Sequence, residues 1–149
     1  MKTLQFLALV LTALALVPAG AHLFELANKI NLTQEQYFAV QQIYRGWALF
    51  GILLFGKLLV VLALTIVLRH ERAAFRLATV ALACVCASLL VFFVWTYPQN
   101  VATQNWTVVP DGWTGMRLRW EYSHAANAVV TFIGFCALVL STLQTQRTP

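Results

Sequence analysis

Four long apolar stretches divide the chain, at residues 4–28, 44–68, 77–96 and 120–143. A membrane span needs about 20 mostly apolar residues at about 1.5 Å rise each. Every stretch reaches that length, so the pattern predicts an all-α membrane protein: a four-transmembrane-helix bundle forming one domain over residues 1–149. Between the first two stretches, Asn31-Leu32-Thr33 makes a short turn. Thr33 followed three residues later by Gln36 reads as a capping box that opens a new helix. That helix is expected to run straight into the second span. Its first turns, 34–42, are polar on one side and carry Tyr37, Phe38 and Val40 on the other, as an interfacial segment would. The longest connection, 97–119, holds Pro98, Asn100, Trp106, Pro110, Asp111, Gly112 and Trp113. It is expected to be an outer loop that folds back over the bundle mouth.

Composition agrees with the pattern: 60% hydrophobic and 10% charged residues lie outside the range of soluble domains, so the lipid bilayer is the expected partner. The net charge of +5 does not point to nucleic acid, because the basic residues form no extended patch with interleaved aromatics. Lys2, Arg69, Arg72, Arg76 and Arg147 gather at the termini and the 68–77 turn, which the positive-inside rule places in the cytoplasm. Lys29, Arg45, Arg117 and Arg119 fall on the opposite side and count against that orientation. The expected location is a bacterial inner membrane, with both termini cytoplasmic and the other end facing the periplasm. Nothing in the chain signals an oligomeric state.

The first stretch has a rival reading as a signal peptide, with Lys2 as its charge and Ala19-Gly20-Ala21 as the cleavage site. Cleavage would make His22 the mature N-terminus, whose amine and imidazole can chelate copper. The apolar helix continues unchanged through Leu23, Phe24, Leu26 and Ala27, which favours a retained span. Cys84, Cys86 and Cys136 lie inside spans without a Cys-x-x-Cys pair and read as small apolar fillers.

The candidate chemistry lies at one end. All five Trp and all four Tyr fall at or beyond the outer ends of the spans, whereas an ordinary aromatic belt marks both interfaces. The first span carries His22 and Glu25, the fourth Glu121 and His124, each pair at i, i+3 on one helix face. The pairs are mirror images along the chain. Leu4 to His22 is 18 residues and His124 to Leu143 is 19, each about 27–29 Å of helix, so the histidines are expected at one depth. His22, Glu25, Glu121 and His124 are therefore candidate metal ligands, or a general acid and base. Mixed imidazole and carboxylate suits Fe, Zn, Mn or Cu without choosing among them. The plainer reading is two intrahelical ion pairs at a wet interface. Tyr44, Arg45, Trp47, Asn100, Arg117 and Arg119 are candidates for binding a lipophilic small molecule, and Asn28 and Asn127 for supporting the site from behind. Lys57, about 18 Å below Arg45, is too deep to reach either surface easily and is left open between structure and function.

The run Pro98-Gln99-Asn100, Asn105-Trp106, Pro110-Asp111-Gly112-Trp113, Arg117-Leu118-Arg119-Trp120-Glu121 and His124 resembles the bacterial branch of the anthrone-oxygenase-like family of small membrane proteins. Gly20-Ala21-His22 and Tyr44-Arg45-Gly46-Trp47 fit it more loosely. The resemblance implies a four-helix membrane fold and, from fungal relatives, oxidation of anthrones to anthraquinones. It does not imply a metal, which rests on spacing alone. Three functions stay open on the residues: an oxidoreductase on a lipophilic or phenolic substrate, a non-enzymatic metal- or lipid-binding protein, and a small structural subunit of a membrane complex.

Overall fold

A computed structural model describes residues 1–146; Arg147, one of the charges used for orientation, lies outside the described residues. Six α-helices form: α1 (Lys2–Lys29), α2 (Gln34–Gln41), α3 (Phe50–Val67), α4 (Arg72–Val91), α5 (Tyr97–Ala102) and α6 (Trp113–Thr145). Extended by their flanking turns, four of them are long and apolar enough to cross a membrane: Lys2–Lys29, Trp47–His70, Arg72–Ala102 and Trp113–Thr145. Mean hydropathy over the most apolar stretch of each is 2.0 to 2.7. These helices are compatible with an integral membrane protein in contact with lipid.

The helices pack in a ring, α1 against α3 and α6, and α4 against α3 and α6. The first and fourth spans are therefore neighbours. They run antiparallel with their ends in register, since Gln5 Nε2 donates to Thr145 Oγ1 at 2.7 Å. Nearby, Ser141 Oγ donates to the Ala74 carbonyl at 2.8 Å and ties α6 to the start of α4. The core of this terminal half is built of Ala8, Val61, Leu64, Leu68, Ala74, Ala78, Ala81, Val85, Ala137 and Leu138. Small residues dominate because helices in lipid associate through close backbone approach rather than through a hydrophobic drive. At Gly134 the approach is closest: a Cβ there would lie 3.0 Å from Cys84 Cβ. Large apolar side chains such as Phe6, Phe24, Ile52, Phe55, Leu90 and Phe132 point outward, as lipid solvation permits.

Three boundaries differ from the sequence reading. The capping box at Thr33 and Gln36 forms, but α2 does not run straight into the second span. Two single 3₁₀ turns, Gln42–Tyr44 and Trp47–Leu49, intervene, and Gly46 at φ +86° breaks the direction. A left-handed φ is cheap only for glycine, so Gly46 fixes the elbow. Next, α4 begins at Arg72 rather than at 77 and takes both arginines into its first turns. Finally, the third span does not stop at 96. A π-helical turn, Phe92–Thr96, leads into α5, where Pro98 sits in the first turn and costs the helix nothing. The connection shrinks from 97–119 to residues 103–112. Within it Gln104, Asn105 and Trp106 hold φ of 49°, 57° and 65°, a left-handed run that turns the Trp106 indole inward.

Candidate functional site

Beyond the apolar core, α1 presents His22, Glu25 and Lys29 at i, i+3 and i+7, a single face turned toward α6. Lys29 is only 3% exposed. Its Nζ lies 3.0 Å from Glu25 Oε1 and 3.1 Å from Glu121 Oε1, and donates to Tyr44 OH at 2.8 Å. Tyr44 OH in turn donates to Glu25 Oε1. The ammonium is also 4.5 Å from the centre of the Tyr44 ring and 4.8 Å from that of Trp120, within cation–π range.

Glu121 is fully buried. From α2, Tyr37 OH donates to its Oε1 at 2.8 Å, and Gln41 Nε2, one turn on, donates to Tyr37 OH at 2.6 Å. Glu121 Oε2 has no protein partner. Two carboxylates thus share one ammonium, and the cluster carries either one net negative charge or one additional proton. Burial, the chief cause, and the neighbouring carboxylate push the phenols of Tyr37 and Tyr44 well above their usual 10. Both remain donors at every physiological pH.

The two imidazoles stack beneath this cluster, ring centres 4.0 Å apart and planes inclined by 32°. His22 is buried, and its Nδ1 bonds Glu25 Oε1 at 3.0 Å. A carboxylate acceptor makes Nδ1 the protonated nitrogen and leaves the lone pair on Nε2, the arrangement by which carboxylates orient basic histidines. Tyr44 and Trp120 lie 4.7 and 5.0 Å from the His22 ring, Trp47 is 5.7 Å away, and Trp120 is 4.2 Å from His124. Aromatic rings, tilted or edge-on, therefore surround the imidazole pair.

A cap covers the cluster. Asn100 Oδ1 accepts from Trp120 Nε1 at 2.8 Å and from Trp106 Nε1 at 3.3 Å. Gln42 Nε2 donates to the Trp106 carbonyl at 3.0 Å. Arg117 donates to the Leu32 carbonyl at 2.7 Å and lies over the Trp113 and Tyr37 rings, so it pins the α1–α2 turn to α6. At the base, Thr96 and Ser123 hydroxyls bond at 2.7 Å and tie the π-helical turn to α6.

His22, Glu25, Glu121 and His124 are thus brought together, with Tyr44 and Trp47 beside them. Asn100 and Arg117 hold the cap rather than line the imidazoles. Arg45 and Arg119 are exposed, as is Asn28 on the outer face of α1. Asn127 is buried with its Oδ1 unpartnered. The sequence reading missed Lys29, which it weighed only as a charge bearing on orientation. Its position four residues after Glu25 and seven after His22 was the available signal. It also placed Tyr37 in an interfacial helix, whereas the elbow at Gly46 folds that helix over Glu121.

Among the described residues no three His, Cys, Asp or Glu side chains are grouped so as to hold a metal ion. An ammonium occupies the position between the carboxylates that a bridging cation would take. The metal expectation gains no support from this arrangement. Compared with protein-family models, curated proteins and solved structures, the chain matches none.

Proposed function

We propose that the chain is a membrane oxidoreductase that uses the Glu25–His22 pair as a general base on a planar, lipophilic aromatic ketone or phenol. The observation that carries this reading is the Nδ1–carboxylate bond of 3.0 Å, which leaves the His22 Nε2 lone pair free among the rings of Tyr44, Trp47 and Trp120. A flat substrate arriving from the bilayer would meet aromatic rings and a base together. The anthrone-like resemblance of residues 98–124 supports a methylene flanked by two aryl rings as the reacting group. Such a carbon is acidic because its carbanion is delocalised.

His22 Nε2 takes the first proton. The carbanion reduces dioxygen, one oxygen atom becomes the new carbonyl, and the other leaves as water with the two methylene hydrogens. Lys29 and Tyr44 hold the Glu25 carboxylate in place, and Glu25 balances the imidazolium that forms. The reading places this end of the bundle in the periplasm of a bacterial inner membrane, because Arg69, Arg72 and Arg76 lie at the opposite, terminal end.

The test is dioxygen uptake by purified protein in lipid nanodiscs supplied with an anthrone. One dioxygen consumed per quinone formed is expected, with a loss of about 10²–10⁴-fold in His22→Asn. Uptake no faster than in empty nanodiscs, or equal in His22→Asn, overturns the reading. Loss of turnover on chelation, with metal in stoichiometric amount, would replace the base by a metal.

A further inference from the structure

Lys57, near the middle of α3, is 2% exposed, and among the described residues it forms no ion pair. A charged amine within a membrane bundle must find polar company or lose its proton. Its side chain borders a void of about 10 Å³ shared with Thr12 of α1, Cys84 of α4 and Thr131 of α6. That is about the smallest space able to hold one water. Thr12 gives its hydroxyl proton to the Ala8 carbonyl at 2.7 Å, which leaves its oxygen as an acceptor toward such a water.

The void is not isolated along α6. His124, Asn127 and Thr131 follow one another at i, i+3 and i+7 and share a helix face. Asn127 and Thr131 are both more than nine-tenths buried, and Asn127 Oδ1 has no protein partner. Buried carbonyl oxygens left unpaired by protein are ordinarily met by water. On the other side of Lys57, among Leu64, Leu68, Ala78 and Leu138, the buried hydroxyls are already committed to backbone: Thr65 Oγ1 donates to the Val61 carbonyl at 2.8 Å and Ser141 Oγ to the Ala74 carbonyl at 2.8 Å. The unpartnered polar oxygen therefore lies on the side of the histidines.

We propose that Lys57 is a proton-exchange site inside the bundle. Its amine and a water held against Thr12 and Thr131 take up and release a proton along the Asn127 face of α6, toward His124. The Nζ ammonium gives a proton to the water, which passes it on. The neutral amine keeps the lone pair that accepts it back. Among the groups facing Lys57 across the void, α1 offers Thr12, α6 offers Thr131, and α4 offers Cys84, the one other titratable side chain. The site stands whether or not the far end turns over a substrate.

The experiment uses the full chain in lipid nanodiscs with ¹⁵N-labelled lysine. The chain has three lysines, Lys2, Lys29 and Lys57, so loss of one signal in Lys57→Met assigns it, and Lys57→Arg serves if that variant does not fold. The expected result is direct magnetisation transfer from water to the Lys57 amine. Its exchange should slow at least about tenfold in Asn127→Leu, the effect of losing roughly one hydrogen bond, with Lys29 unchanged. An amine that never contacts water overturns the proposal, as does exchange unaltered in both Asn127→Leu and Thr131→Val. Exchange abolished by Cys84→Ala would make the thiol its proton partner and also overturn it.

Discussion

The two ends of the same four-helix ring are held together by different physics. In the terminal half, α1, α3, α4 and α6 meet through Ala8, Ala78, Ala81 and Gly134, and the few hydrogen bonds between them, such as Gln5 to Thr145 and Ser141 to the Ala74 carbonyl, join neutral groups. At the aromatic end the neighbouring surfaces are Glu25, Lys29, Tyr37, Glu121 and two histidines, joined by hydrogen bonds and one shared ammonium. Apolar packing in lipid responds to shape and is indifferent to chemistry. A buried charge cluster stabilises little over an apolar substitute of the same shape, yet fails badly when one member is removed.

Removing the shared cation should break the comparison most sharply. Lys29→Met leaves two carboxylates facing each other without a cation and is expected to cost about 3–5 kcal/mol, read from unfolding in detergent micelles. Tyr37→Phe strips a charged hydrogen bond from the fully buried Glu121 and should cost about 1.5–3 kcal/mol in the same assay. In the other half, Gly134→Ala tests shape: a Cβ 3.0 Å from Cys84 Cβ requires that side chain to yield by a few tenths of an ångström, at an expected cost of about 1–3 kcal/mol. Lys29→Met should alter the environment of the histidines, whereas Gly134→Ala should leave them as they are.

Alkaline pH separates the halves again. The Tyr37 phenol is raised above its unfolded value, so its contribution is fully present below about pH 10 and is lost as pH rises further. The expected slope is about 1.4 kcal/mol per pH unit from this group, and it should vanish in Tyr37→Phe. The smallest effect belongs to the exposed arginines. Arg45→Ala and Arg119→Ala should each change stability by less than about 0.5 kcal/mol. A larger loss would mean that the cluster extends to the surface.

Much of this was legible from residue order. The four spans follow from apolar length, the capping box from Thr33 and Gln36, and the alignment of His22 with His124 from counting turns. Two things were not legible. Which spans are neighbours depends on packing, and only the adjacency of α1 and α6 converts Lys29 from a charge bearing on orientation into the centre of the site. The course of α2 depends on one positive φ at Gly46, which no hydrophobic period reports. The 97–102 stretch read as loop because proline and asparagine usually break helices. After a π-helical turn, proline instead falls in a first turn, where its missing N–H is harmless.

The central claim, a histidine whose Nε2 lone pair is left free by the bond from Nδ1 to Glu25, is tested most directly by its tautomer. With ¹⁵N-labelled histidine in nanodiscs, His22 is assigned among the three histidines by His22→Asn. The account predicts a protonated Nδ1 hydrogen-bonded to Glu25 and a bare Nε2, with the preference lost in Glu25→Ala. A proton on Nε2, or a metal on either nitrogen, would contradict it.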